Sequence, residues 1–256
     1  MPRVRHAQGF SLIELAVVLL IVGLLLGAVM FTLAAQVEQR NRGDTQRGLE
    51  DAKELLLAFA IVNGRLPCPA WASGDESPAG GGICTNPYNG FLPGRAIGFA
   101  PVDASGYALD AWHNRIRYAV SNALISTVGP PPICRPGNAA PATPHFTQRD
   151  NLKANGLDCS PSDLVVCSQS QAGATCAAGQ SVTNLNTVAA IVFSTCKNGR
   201  QGAAGANETE NTDGDVVFVY RTPDSSSAAG GEYDDMTAWI PVGLLYGRLT
   251  AAGVLP

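Results

Sequence analysis

Hydrophobic and polar positions are distributed very unevenly along this chain. From Leu15 to Ala35 there is no ionisable side chain and no proline. That length matches the roughly 20 residues a helix needs to cross the hydrocarbon core of a bilayer. A segment in lipid must satisfy its own backbone, so the run predicts a helix. Polar residues begin at Gln36, and then Leu49, Ala52, Leu56 and Phe59 recur at the spacing of one buried helical face, widened by Leu55, Ala58 and Val62. Asn63-Gly64 supplies a stop, with Pro67 beyond it. The pattern therefore predicts one helix from Phe10 to Asn63, roughly 80 Å long at 1.5 Å per residue, with a bend or a frayed turn near Gly43 and Gly48. Strand patterns appear at Val188–Ser194 and Asp215–Tyr220, joined by a polar, Gly-rich loop at 199–214 and expected to be antiparallel neighbours. Glu232–Pro241 reads as a final strand ended by its proline. Residues 129–184, interrupted by Pro130, Pro131, Pro132, Pro136 and Pro144, predict no regular structure.

The approach to the apolar run changes the picture. Met1–Gly9 is short and carries Arg3 and Arg5 with no acid. In a secretory signal a small-residue cleavage site comes after the apolar stretch; here Gly9 precedes it. Glu14 places a carboxylate at the start of the apolar helix, a costly position that implies a partner or a role. Gly9-Phe10-Ser11-Leu12-Ile13-Glu14 resembles the prepilin processing motif of type IV pilins and type II secretion pseudopilins. The resemblance implies that a prepilin peptidase cuts after Gly9 and methylates the new N-terminus at Phe10. It also implies that Glu14, the fifth mature residue, acts in assembly by pairing with the N-terminus of a neighbouring subunit. A plain signal anchor with one tolerated glutamate is the alternative. Both readings place the N-terminus in the cytoplasm and export the chain beyond Ala35. Gly23 and Gly27 form a small-xxx-small pair that permits close helix approach.

Composition adds bounds. A net charge of −4 and a pI near 5.3 argue against nucleic acid as a partner. With 28 glycines and 17 prolines in 256 residues, the exported part is expected to be rich in loops. Seven cysteines suit an oxidising compartment such as the bacterial periplasm. No C-x-x-C pair occurs and the three histidines are scattered, so no zinc site is expected. Cys68 and Cys84 bracket a surface loop and suggest one disulfide, a more distant partner for Cys68 being the alternative. Cys134, Cys159, Cys167 and Cys176 fall in the proline-rich stretch, which reads as a disulfide-stapled insertion, and the odd count leaves a thiol over.

A softer resemblance to pseudopilins covers residues 91–120. Asp110-Ala111-Trp112-His113-Asn114-Arg115 stands where those proteins often carry Asp-x-Trp-Gly-Asn, with His113 in place of the common glycine and Arg115 in place of the common proline. Asp110 and Asn114 suit an Asx-type turn, and Trp112 is expected to be buried in the sheet. No nucleophile elbow, P-loop or dinucleotide fingerprint is present, so no catalytic residue and no enzyme activity are expected. Asp213, Asp215, Asp224, Glu232, Asp234 and Asp235 form an acidic group near the C-terminus. The resemblance allows calcium there, since some pseudopilins hold it in a C-terminal loop. The spacing fits no ligand template, so solvated turn carboxylates are the expectation and no metal ligand is assigned.

Together these readings predict an α+β, pilin-like fold: a leader (1–9), a transmembrane and assembly helix (10–35), an amphipathic continuation (36–64) and an exported domain (65–256). The expected function is a minor pilin or pseudopilin of a type IV pilus or type II secretion pseudopilus. Its expected partners are prepilin peptidase, other subunits and the inner membrane. A membrane-anchored, disulfide-rich periplasmic binding module that never polymerises is the main alternative, and a tethered hydrolase a third.

Overall fold

The computed structural model describes residues 11–126, 142–155, 161–203, 205–224 and 231–255, without the side chains of residues 28–32, 126, 142, 150, 154 and 155. By contacts the chain divides into two units, residues 1–43 and 44–256. One helix, α1 (Leu12–Asn63), begins in the first and ends in the second. It passes through Gly43 and Gly48 without interruption, so no frayed turn occurs there. Two glycines cost about 1 kcal/mol each relative to alanine, too little to interrupt a helix laced by the pairs Arg42–Glu38, Arg47–Asp44 and Lys53–Glu50.

In the first unit the apolar side chains from Leu12 to Leu26 are exposed. Among the described residues no helix is long and apolar enough to cross a membrane. The crossing expected over Leu15–Ala35 lies partly outside them, because it includes side chains 28–32.

The second unit is built on a four-stranded antiparallel sheet. Its order is β1 (Gly90–Phe91), β2 (Arg117–Val120), β6 (Val188–Ser194), β8 (Met236–Pro241). Strands β3 (Leu124–Ser126) and β4 (Ala142–Pro144) form a separate antiparallel pair. Strand β5 (Val165–Cys167) pairs in parallel with β7 (Val217–Val219). Short helices α2 (Gly94–Ile97), α3 (Arg149–Asn155) and α4 (Ala206–Glu210) and a terminal helix α5 (Val242–Ala251) complete the order.

Alternation along the strands explains the layering. Tyr118, Val120, Ala190, Val192, Ala238 and Ile240 share one core with Leu49, Ala52, Leu56, Leu57 and Ala60 of α1 and Leu245, Tyr246 and Leu249 of α5. The intervening residues Ala119, Ile191 and Phe193 form a second core with Leu164, Val166 and Phe218. The central strand β6 is consequently buried over its whole length, which is why it reads as a continuous apolar run.

Several expectations need correction. The expected partner of β6 was the 215–220 strand; β7 instead leaves the main sheet and pairs with β5, because Phe218 packs on the far face of β6. Within 129–184, β4, α3 and β5 supply regular structure between the prolines. On α1 the buried stripe includes Leu57 and Ala60, whereas Ala58 is exposed and Val62 is 79% exposed. Trp112 is half-buried, since its turn lies at the rim of the sheet. Helix α5 directly follows Pro241, whose extended backbone (φ −63°, ψ 141°) makes it the N-cap residue.

Other expectations hold. α1 ends at Asn63, and Gly64 takes a left-handed φ of 66° while its N–H bonds the Ala60 carbonyl. Cys68–Cys84 is a disulfide, as is Cys167–Cys176. Cys196 is the one free cysteine among the described residues and is buried; Cys134 and Cys159 lie outside them.

The Cys68–Cys84 loop is organised by a buried ion pair. Arg65 donates from both terminal nitrogens to the two Glu76 carboxylate oxygens at 2.7 Å, and Glu76 also accepts from the N–H groups of Gly80 and Cys68. Burial pushes the Glu76 carboxyl up, yet Arg65 and these amides outweigh it and hold it below the ordinary range. Glu76→Gln leaves the Arg65 guanidinium without its counter-charge, and the expected cost is about 3–5 kcal/mol. Thermal unfolding of wild type and variant, both with the disulfide intact, measures it; a loss below about 1 kcal/mol would show that the pair is not structural.

His145 is fully buried, with Nε2 hydrogen-bonded to the Tyr246 hydroxyl of α5 and Nδ1 without a partner. Burial pushes its imidazole down from the ordinary 6.5 to about 4. The unfolded chain therefore binds the extra proton first, and stability falls as pH drops from about 6.5 towards 4. The difference is on the order of 3 kcal/mol. Comparing unfolding midpoints of wild type and His145→Gln across that window isolates it; parallel pH profiles would show that the histidine does not contribute.

Candidate functional site

Two places gather functional side chains, one in each unit. The first is the start of α1. Gly9 and Phe10, the expected cleavage and methylation positions, lie outside the described residues. Glu14 is described, and it is not a bare carboxylate. Its Oε2 accepts from the backbone N–H and from the hydroxyl of Ser11, while the Ser11 hydroxyl accepts from the Glu14 N–H, all at 3.2 Å. The Ser11 carbonyl receives the first helical bond, from Leu15. This is a reciprocal capping box, in which Ser at the N-cap and Glu at the third helical position satisfy each other's amides. It contributes about 1 kcal/mol to the helix start, and the negative charge sits where the helix dipole favours it. Ser11 is absent from the residues singled out by sequence, although the S-x-x-E spacing ahead of an apolar run signals it.

The second place is in the sheet unit, and it reshapes the expected acidic group. Asp224 is drawn away by an ion pair with Arg221 and by backbone bonds with Tyr233. Asp213 and Asp215 lie with Glu210 in a partly exposed cluster, and each Asp accepts from a nearby backbone N–H. Asp234 and Asp235 instead turn inward to meet Glu208 of α4. Glu208 was not among the acids the sequence brought forward, because α4 falls in a loop that shows no helical periodicity.

These three carboxylates are buried, at 2%, 3% and 4% exposure. One oxygen from each lies within 4.8 Å of the other two. Glu208 accepts at both oxygens from the Asn198 side-chain amide at 2.9 Å and from the Asp234 N–H at 3.0 Å. Asp235 Oδ2 accepts from Asn211 at 2.7 Å, while Asp235 Oδ1 is buried without a hydrogen-bond partner. Burial, reinforced by Glu208 and Asp234, pushes the Asp235 carboxyl up to about 8 despite Asn211 and Arg117. A cavity of about 110 Å³ opens beside the group, lined by Asp235, Glu208, Asn198, Thr195, Thr212 and Arg117. An all-oxygen donor set of this kind suits a hard cation such as Ca²⁺.

The turn that resembles pseudopilins lies close by in the fold. Asp110 Oδ1 accepts from the N–H groups of Trp112 and Asn114 at 2.9 and 2.8 Å, the expected Asx-type turn. Its Oδ2 accepts from the Ser194 hydroxyl at 2.6 Å, and Asn114 donates to the Cys196 carbonyl. His113 adopts a φ of 63°, so a side chain occupies a left-handed position that favours glycine. These residues brace the rim of the sheet and form no catalytic constellation.

Residues 4–30 match the family described as Prokaryotic N-terminal methylation motif. No curated protein and no solved structure matches the chain. The motif implies processing by prepilin peptidase and assembly with other pilin subunits, and it points to a structural subunit rather than an enzyme. The capped helix start thus falls within a matched segment, and the chain carries the N-terminal signature of type IV pilin and pseudopilin prepilin-type proteins.

Proposed function

We propose that this chain is a minor subunit of a type IV pilus or type II secretion pseudopilus, with a pilin-like fold. The observation that carries the reading is the coincidence, at one N-terminus, of the methylation motif at residues 4–30 with a helix start capped by Ser11 and Glu14. In this reading the peptidase removes residues 1–9 and methylates Phe10. The apolar first part of α1 anchors the subunit in the inner membrane, N-terminus inward, with the sheet unit in the periplasm. The exposed apolar side chains between Leu12 and Leu26 support an environment of lipid or neighbouring helices.

Glu14 then has two successive partners. Before assembly its own Ser11 satisfies the carboxylate within the chain, which lowers the cost of holding it at the membrane. On assembly the amine of a neighbouring Phe10 competes for it, an exchange of hydrogen bonds from neutral donors for an ion pair in a poorly solvated place. The large stapled segment between β3 and β6 supports a low-copy position, since a repeated filament surface leaves little room for it.

Intact mass and N-terminal sequencing of the membrane-extracted protein are expected to show a chain beginning at N-methylated Phe10. A mature chain still beginning near Met1 defeats the reading. Glu14→Ala is expected to leave insertion and cleavage intact and to reduce recovery in sheared filaments at least tenfold, with Glu14→Asp intermediate. Wild-type incorporation of the Ala variant would make Glu14 a helix cap and nothing more.

A further inference from the structure

We infer that the open edge of β8 is a receptor groove for an extended peptide segment of another protein, which joins the four-stranded sheet as a fifth strand. The inference does not depend on the N-terminal reading, because every residue it uses lies in the 44–256 unit.

The ladder shows which backbone groups such a segment would meet. In an antiparallel strand the N–H and C=O of one residue point to the same side, and successive residues alternate sides. The Leu92 N–H bonds the Ile116 carbonyl and the Val120 N–H bonds the Pro87 carbonyl, so even-numbered residues of β2 face β1. The Ser121 N–H bonds the Ala189 carbonyl, so odd-numbered residues face β6. Carried through the register, Ala190, Val192 and Ser194 of β6 face Ile240, Ala238 and Met236 of β8. Thr237 and Trp239 therefore direct their main-chain N–H and C=O away from the sheet. β8 is a terminal strand of that sheet, and neither residue makes a main-chain hydrogen bond on its outer side with another described residue.

The opposite edge is built differently. Phe91 of β1 also faces outward, and it exchanges both of its main-chain bonds with Ala70, at 2.8 and 3.0 Å. Folded proteins blunt their open edges with short strands, charges or prolines. β8 is six residues long and carries no charge, and its single proline stands at its very end. One edge of the sheet is closed by the chain itself, and the other is left ready to pair.

The surroundings select the occupant. A groove of about 370 Å³ runs beside the β8 edge. Gln46, Glu50 and Lys53 of α1 line one wall, where Glu50 and Lys53 neutralise each other at 2.7 Å. Trp239 and Tyr220 line the other, in edge-to-face contact with ring centroids 5.4 Å apart, and Tyr220 is 47% exposed. The edge is recessed between these walls, since Thr237 and Ala238 are only 7% and 6% exposed. A strand that already belongs to a layered sheet brings its own walls and cannot reach such an edge; a single extended tail or loop can. Its side chains point alternately to opposite faces. One set meets the polar wall and the other packs on the aromatic pair. The groove thus suits an uncharged segment of alternating polar and apolar residues, held by main-chain bonds to Thr237 and Trp239 in the manner of β-augmentation.

The test uses the full chain in detergent and an array of short capped peptides in which Thr or Ser alternates with Val, Ile, Leu or Phe. Without peptide, residue-resolved amide exchange is expected to be at least tenfold faster at Thr237 and Trp239 than at Ala238 and Ile240. A peptide that binds should slow Thr237 and Trp239 at least tenfold and leave Ala238 unchanged. N-methylation of alternate peptide amides leaves the protein untouched. It should weaken binding at least tenfold in one phase and little in the other, because only one edge of the peptide meets β8. Thr237→Pro removes an outward N–H and no bond to β6, so it should also weaken binding at least tenfold. That variant loses the bond from the Thr237 hydroxyl to the Val219 carbonyl as well, so Thr237→Val is the control and should bind like wild type. Thr237 and Trp239 amides already protected in the peptide-free protein overturn the inference, as does an array with no binding member at millimolar concentration. So does binding that survives N-methylation in both phases, and so does a response to oligosaccharides but not to peptides, which would make the Tyr220–Trp239 pair alone the site.

Discussion

The double burial of β6 is the constraint on which the second unit depends. A strand that is apolar on both faces cannot sit at a surface, so each face must be covered by a separate layer. Ala190 and Val192 take the helical layer, where α1 and α5 meet. Ile191 and Phe193 take the layer made by β5 and β7. Edge strands β1 and β8 gain their positions from this centre, and the Asp110 turn ties in through Ser194, the last residue of the strand. Even Cys196 and the Asn198 that orients Glu208 take their places from where β6 ends.

Much of the helical half was legible because its signals are local. The spacing of Leu49, Ala52 and Leu56, the Asn63-Gly64 stop and the Cys68–Cys84 loop each needed only nearby residues to be read. The Asp110–Asn114 turn was legible for the same reason, and the left-handed backbone at His113 shows that the turn keeps its shape even where the side chain is unfavourable. What stayed hidden depends on distant pairing. The 217–219 strand looks like a hairpin partner of 188–194, yet its alternate side chains are recruited by β5 from the far face. Periodicity cannot tell which partner an apolar strand will take.

The candidate sites divide in the same way. At the N-terminus the motif is contiguous, so Gly9, Phe10 and Glu14 can be named from order alone, and the cap pattern that marks Ser11 is equally local. The carboxylate nest was half visible. Asp234 and Asp235 stand together, but Glu208 comes from a five-residue helix inside a glycine-rich loop, and no spacing rule links it to them. The acids that looked equivalent in sequence separate into an ion pair with Arg221, a partly exposed cluster and a buried triad. Burial distinguishes them, and burial is a property of the fold.

The parallel pairing of β5 with β7 sets an order of events. Val165 must wait for Val217, which leaves the ribosome roughly fifty residues later, before its ladder can close. Parallel pairs across long separations form slowly, because the loop must be closed before any contact rewards it. Cys167, however, is the last residue of β5 and is bonded to Cys176 only nine positions on. That short ring can close as soon as both thiols meet an oxidant, well before β7 exists. In a chain delivered N-terminus first, the waiting strand is then already folded back on its own loop, with part of its edge occupied, through the interval in which a bare strand would be most prone to pair with another chain.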